Sequence, residues 1–184
     1  VLRFTQANIK NIEQGELDLF LDRLRSEYAF GRVKARIHLN TQLLIEISPR
    51  FPLLVVSPLN FDKTGDNFSA CISETGELYS PCLPQEEEHK LTKFVFGRVI
   101  KNWKKQKSGL LVLENEFTTT IKKATKLMQL LRDNKLSAEK MTYVEFRGFE
   151  IFDSSGIRIK LGYPPFEKKI ERLSQILQAP DMNK

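Results

Sequence analysis

Two cysteines, two histidines and one tryptophan among lysines are the residues of this 184-residue chain whose types could do chemistry. Cys71 and Cys82 flank ISETGELYSP, which reads as a hairpin with Gly76 near its turn. With Thr75-Gly76 as a two-residue turn, Cys71 faces Ser80, and Cys82 sits on a diagonal roughly 7–8 Å away, the limit of a disulfide. A four-residue turn from Thr75 to Leu78 sets the two cysteines opposite each other. Both registers stay open, and so does the bond, which an oxidising compartment would permit. Two sulfurs with no histidine nearby do not make a zinc site. His38 falls on the charged face of a strand and His89 in the acidic stretch Gln85–His89, neither at ligand or triad spacing from a Cys, Asp or Glu. Glu86-Glu87-Glu88 reads as solvated charge. With no phosphate loop or dinucleotide fingerprint among the glycines, the chain reads as a non-enzyme without cofactor or metal.

The segment KNWKKQK surrounds Trp103 with Lys101, Lys104, Lys105 and Lys107. An aromatic between cations can stack a base while the lysines meet phosphates. The competing reading is a surface segment whose tryptophan points into the core. One cluster without a second aromatic platform favours the core.

The elements that must position these residues follow from periodicity. Residues 16 to 28 carry Leu17, Leu21, Leu24 and Tyr28 at helical spacing, with Gly31 just past the end. RVKARIHL, residues 32 to 39, alternates Arg32, Lys34, Arg36 and His38 with Val33, Ala35, Ile37 and Leu39, the pattern of a strand with one wet face. Leu43, Ile45 and Ile47 set a second strand, joined through Asn40-Thr41-Gln42 as a hairpin. Pro49 and Pro52 end that pairing or confine it to an edge, and Leu53 to Val56 resumes as a short apolar strand. Pro58 to Asn67 is loop-like, residues 91 to 103 are ambiguous, and Leu110 to Leu113 reads as a buried strand. Phe117, Ile121, Ala124, Met128 and Leu131 mark a helix that stops near Asp133-Asn134. Strands are expected over Met141–Phe146 and Glu150–Phe152, then a turn at Asp153–Gly156, then a strand through Ile157, Ile159 and Leu161. Pro164-Pro165 introduces a last helix with the stripe Phe166, Ile170, Leu173 and Leu177. This is an α+β chain whose strands are mostly joined as antiparallel hairpins.

A hydrophobic content of 41% fits a globular protein, and the net charge of +6 favours anionic partners without choosing among them. The longest purely apolar runs span about four residues, against the roughly 20 a membrane helix needs. The chain opens on Val1, so its natural start, and any signal or anchor, is expected upstream.

Residues 33 to 53, VKARIHLNTQLLIEISPRFPL, resemble the end of the POTRA domain in the FtsQ/DivIB family of bacterial cell division proteins. That family has Val-x-x-Ala-x-Val followed by Leu-x-Ile-x-Val-x-Glu-Arg-x-Pro. Val33, Ala35 and Ile37 supply the first of these patterns, tighter by a single residue, and Leu43, Ile45, Ile47, Arg50 and Pro52 supply the second in register. Pro49 stands where the family has Glu. SETGELY, residues 73 to 79, is similar to the family's Asp-x-x-Gly turn without its Asp, and Leu83-Pro84 matches a recurring Leu-Pro. GIRIKLGYPPFEKKIERLSQIL, residues 156 to 177, is similar to the family's strand, Leu-Gly and Lys-containing helix. Residues 85 to 115 show little likeness.

The resemblance implies a short POTRA-like unit over residues 1–57, its first strand within Val1 to Ile9, then a mostly antiparallel β domain with flanking helices over 58–184. It also implies a single-pass protein of the bacterial inner membrane, anchored upstream, with this portion in the periplasm at the division septum. As a divisome scaffold it would recruit FtsB- and FtsL-like partners, with no specific nucleic acid and no small-molecule substrate. In the family FtsB adds a strand to an exposed sheet edge. The family's last helix is followed by another strand, for which residues 179–184 offer no counterpart. The edge then falls to Ile157, Arg158, Ile159, Lys160 and Leu161, with Arg158 and Lys160 both guarding it and attracting an acidic partner; the alternative is a strand paired internally whose charges are ordinary surface. The competing readings are a POTRA module of another envelope-assembly or export system, or a basic nucleic-acid-binding domain.

Overall fold

The computed structural model describes residues 14–27, 32–38, 42–48, 50–62, 68–80, 82, 90–106 and 109–178. The expected strand within Val1 to Ile9, Tyr28, Pro49, Leu83-Pro84, Glu86 to His89, Lys107 and residues 179–184 lie outside them.

The first elements are α1 (Gln14–Glu27), β1 (Arg32–His38) and β2 (Gln42–Ser48). β1 and β2 pair antiparallel with Val33 opposite Ile47, Ala35 opposite Ile45 and Ile37 opposite Leu43. Helical spacing in α1 and alternation in the hairpin meet in a small core of Leu17, Leu21, Val33 and Ile45, with Leu24 and Ile47 against it. Across the hairpin, Lys34 stands opposite Glu46. The side chains of Arg32, Lys34, Arg36 and His38 are not among those described.

The chain then runs through β3 (Pro52–Val56), a 3₁₀ turn at Pro58–Asn60, β4 (Ala70–Ser73), β5 (Leu78–Tyr79), β6 (Thr92–Phe96), β7 (Trp103–Lys105) and β8 (Leu111–Leu113). It continues through α2 (Asn115–Asp133), β9 (Lys140–Val144), β10 (Gly148–Phe152), β11 (Arg158–Gly162) and α3 (Glu167–Gln178). Seven strands form one sheet in the order β11-β10-β9-β6-β3-β4-β5, while β7 and β8 form a separate two-stranded ribbon. The fold is α+β, but the sheet is mixed: β3 with β6 and β6 with β9 pair parallel, inside antiparallel flanks.

Several expectations are corrected here. A boundary at residue 57 would leave β3 with the first unit, yet β3 pairs with β4 and β6 near the middle of the seven-stranded sheet. The two sheets part between Ser48 and Pro52. Leu53, Leu54, Val55 and Val56 are all buried, the signature of a strand covered on both faces. Pro49 and Pro52 were expected to end the β1–β2 pairing or confine it to an edge, and the pairing does end, at Ser48; Pro52 begins β3, where its missing N–H is tolerated. Phe146 belongs to the β9–β10 turn at φ 66° rather than to a strand. Among the described residues, 111–113 pair with β7 alone, and Val112 is half exposed.

Paired residues share a face, so the register defines what each side of the sheet carries. Ala70, Val56, Phe94, Met141, Ile151 and Ile159 stand opposite one another in turn across six strands. This row lies in the main core with Phe117, Ile121, Ala124, Leu127 and Leu131 of α2, Ile170 of α3 and Phe166 just before it. At roughly 1.5–3 kcal/mol for each large side chain fully buried, that stripe fixes both helices to this face.

The opposite face carries a row through all seven strands: Tyr79, Cys71, Val55, Lys93, Lys140, Phe152 and Arg158. Its first three members are covered, packing with Cys82, Leu91 and Leu110 in a second core. The ribbon closes this end, for Tyr79 bridges to Leu110 and the Ser80 N–H donates to the Gly109 carbonyl at 2.9 Å. Burial pushes the Tyr79 phenol up to about 12, against the pull of Arg50, whose guanidinium lies 5.3 Å from the ring centroid. Arg50 Nε also stands 3.4 Å from Glu77 Oε2, tying the link between the two sheets to the β4–β5 hairpin.

Cys71 and Cys82 are joined in a disulfide, their Cα atoms 5.1 Å apart. Neither expected register applies. Cys71 pairs with Tyr79 and Ile72 with Leu78, through a tight turn in which Gly76 takes φ 80° and donates to the Ser73 carbonyl. Cys82 then reaches Cys71 from beyond the end of β5, where its N–H donates to Ser69 Oγ at 3.2 Å. The competing turns were both even-numbered, whereas a three-residue turn with a left-handed glycine was the one formed.

Candidate partner-binding edge

β10 and β11 form a hairpin held at its turn by Asp153, whose Oδ1 accepts the Ser155 N–H at 2.9 Å, the Ser155 hydroxyl at 2.7 Å and the Ile157 N–H at 2.8 Å. These bonds, the Ser155 hydroxyl's first, hold the Asp153 carboxyl below its ordinary range. The Asp153 N–H donates to the Ile157 carbonyl at 3.2 Å, so Ile157 turns its backbone toward β10. Ile159, opposite Ile151, does the same; by alternation Arg158 and Lys160 turn their N–H and C=O groups away. β11 is the last strand of the sheet, and among the described residues no strand pairs with it on that outer side.

Beyond Lys160 the edge changes character. The register steps from Glu150–Lys160 to Phe149–Gly162, leaving Leu161 as an extra residue in β11. Gly162 takes φ 71° and Gly148, facing it, takes φ 78°. A Cβ on Gly148 would lie 2.3 Å from the carbonyl carbon and oxygen of Gly162, so only glycine lets the strands approach this closely. From α3, Lys169 Nζ donates to the carbonyls of Leu161 at 2.8 Å and Tyr163 at 2.6 Å.

The five residues singled out in the sequence divide between two faces. Leu161 is buried and Ile159 packs partly against the main core, while Ile157 is 54% exposed. Arg158 and Lys160 are exposed on the other face, but Arg158 does not project freely. Its Nε and Nη2 grip Glu150 on β10 at 2.9 and 2.7 Å, and Glu150 is only 4% exposed. Arg158 and Lys160 therefore stand differently: Arg158 is hydrogen-bonded across the sheet to Glu150, and Lys160 is Glu150's partner in the register. The Arg158 hydrogen bonds, reinforced by the charges of Arg158, Lys160 and Arg147, hold the Glu150 carboxyl below the usual glutamate range against its burial.

Sequence reading missed Glu150, Lys93, Lys140 and Lys169. The register brings Lys93, Lys140 and Arg158 into the open end of the seven-strand row, with Lys160 in the next row beside Glu150 and Thr142. Lys140 Nζ lies 5.4 Å from the Phe152 ring centroid. Four cations against one carboxylate make the outer face beside β11 basic. The signal available was alternation for Glu150, Arg158 and Lys160, each of which stands between apolar residues; Lys93 and Lys140 have an apolar neighbour on one side only.

Because Glu150 has a depressed pKa in the folded state, its charge contributes stability that is complete above the ordinary glutamate range. That contribution is lost as the pH falls through the depressed value. Thermal melts of the wild type and Glu150→Gln should therefore differ most near about pH 7 and converge toward about pH 3. A gap that stays constant across that range would remove the ion pair as its source.

The other sequence candidates are engaged elsewhere. Trp103 packs against Phe61 and Phe68, with ring centroids 5.7 and 5.4 Å away, and its indole N–H donates to the Asp62 carbonyl and carboxylate at 3.2 Å. Lys104 and Lys105 beside it are exposed. A cleft of about 90 Å³ lies between β6, β9 and the start of α2, below the roughly 300–1,000 Å³ of ligand pockets. Arg98 at its rim is occupied by Glu116 and Glu145. Among the described residues no three His, Cys, Asp or Glu side chains converge on a metal position, and no helix is long and apolar enough to cross a membrane. In comparison with known proteins, no family model matches this sequence and no curated protein matches it either.

Proposed function

We propose that this chain is a non-enzymatic extracytoplasmic scaffold of the bacterial division machinery, resembling the FtsQ/DivIB family, and that it holds an FtsB- or FtsL-like partner by strand addition to β11. The observation that carries the reading is the outer edge of β11, which turns the backbone groups of Arg158 and Lys160 away from the sheet beside a basic face. Edge strands recruit extended segments through main-chain hydrogen bonds, with the flanking side chains choosing among them. Here the flanking charges favour a segment bearing carboxylates. The Cys71–Cys82 disulfide supports the compartment, since such bonds persist where the surroundings are oxidising.

Two variants test this. Lys140→Gln with Lys160→Gln removes two charges of the basic face without setting a like charge against Glu150, and should weaken binding of an FtsB-like protein by about tenfold, with a flatter salt dependence. Arg158→Glu is the poorer choice because it would leave Glu150 buried against a like charge. Lys160→Pro removes an outward N–H and spares the pairing with β10, so it should leave the melting temperature near wild type while abolishing binding. Undiminished binding by a folded Lys160→Pro variant would place the docking surface elsewhere.

A further inference from the structure

We infer that Lys169 is the register stop of the β11 edge, and that the segment it receives is a short extended one carrying a carboxylate where its pairing ends. This rests on the strand-addition reading above and adds to it the length and the terminal chemistry of the added strand.

The edge has two stretches. Over Arg158 to Lys160 the backbone groups of alternate residues face outward and would accept a partner strand. At Leu161 the bulge breaks that alternation, and the next carbonyls, of Leu161 and Tyr163, are both taken by Lys169 Nζ. An incoming strand that pairs along Lys160 therefore meets an ammonium group instead of a free carbonyl at its next step. To continue it would have to displace two charge-assisted hydrogen bonds of 2.8 and 2.6 Å. Stopping there is the easier course.

The same group recruits as well as blocks. An ammonium has three protons to donate, and the two carbonyls use two. The third is left for an acceptor at the end of the added strand, and a carboxylate is the acceptor that answers both the proton and the charge. Lys169 sits on α3, anchored in the main core by Ile170 and by Phe166 just before the helix, so its position is set by the fold. The bulge that creates the stop is itself fixed by the contact of Gly148 with Gly162.

The test is selection of a phage-displayed library of random twelve-residue peptides on the intact chain, on Lys169→Met and on Lys160→Pro. Wild-type selection is expected to yield alternating β-forming peptides with Asp or Glu at one fixed position, lost on Lys160→Pro. On Lys169→Met, the same peptides should bind about tenfold more weakly, while versions with Asn or Gln at that position bind both chains equally. Lys169→Arg should restore the preference. If no selected peptide depends on Lys160 as its edge, the strand-addition reading falls and this inference with it. If edge-dependent peptides appear but lack the fixed acid, or keep their preference for it on Lys169→Met, the edge stands and the role of Lys169 is overturned.

Discussion

Replacing Gly148 with alanine is expected to destabilise the protein by about 3 kcal/mol or more, through two penalties that act together. The left-handed backbone at φ 78° costs a side-chain-bearing residue about 1–2 kcal/mol. The added methyl would also sit 2.3 Å from the backbone of Gly162, an overlap that no rotamer relieves, so β10 and β11 must separate at the bulge. Gly156→Ala is the control. It has φ 81° but nothing within 4 Å of the new methyl, so it should pay the conformational cost alone, about 1–2 kcal/mol. Chemical denaturation should show the Gly148 variant as the more affected, and hydrogen exchange should show lost protection in β10 and β11. Equal losses from both variants would mean that the close approach of the two strands is not what holds the edge.

Removing the disulfide by Cys71→Ala with Cys82→Ala is expected to cost about 2–3 kcal/mol, because the bond closes a short loop in the unfolded chain. For a chain of this size that corresponds to a fall in melting temperature of roughly 4–12 °C. The damage should be local to the covered end of the sheet, where Cys71 packs with Val55 and Tyr79 under Leu110. Intact mass after alkylation, with and without reductant, would check that the wild type carries the bond. A double variant that melts with the wild type would show that the second core holds this end without it.

Helices were the most legible elements of the fold. The stripe Phe117, Ile121, Ala124, Met128 and Leu131 is buried throughout, because a helix packed on a sheet advertises its face at a spacing the sequence repeats. The first hairpin was nearly as readable: alternation in β1 and β2 marked both strands and their core, but Gln42, read as part of the connection, begins β2 opposite His38. Strand order was not. The parallel pairing of β3, β6 and β9 is made across long connections, and nothing in Leu53–Val56 or Thr92–Phe96 names the other as neighbour. The edge strand itself could be read from Ile157, Ile159 and Leu161, but what shapes it could not. Lys169 reads as one of two adjacent lysines on a helix, and only the bulge brings the carbonyls of Leu161 and Tyr163 within its reach. Glu150 is similar: a single carboxylate between Phe149 and Ile151 acquires meaning from Arg158 across the hairpin.

The two ends of the seven-stranded sheet are unlike. At β5 the ribbon bridges to Tyr79 and Ser80, and the disulfide ties Cys82 to β4; at β11, among the described residues, no further strand pairs. A sheet with two bare ends can be extended indefinitely by copies of itself, which is how strand pairing runs on into fibres. This one has a valence of one. Should two copies meet through β11, they would close on each other about a two-fold axis, leaving neither seven-stranded sheet an end to offer a third. Were β11 to take a partner strand as proposed, the seven-stranded sheet would accept one and no second, because its β5 end is already covered.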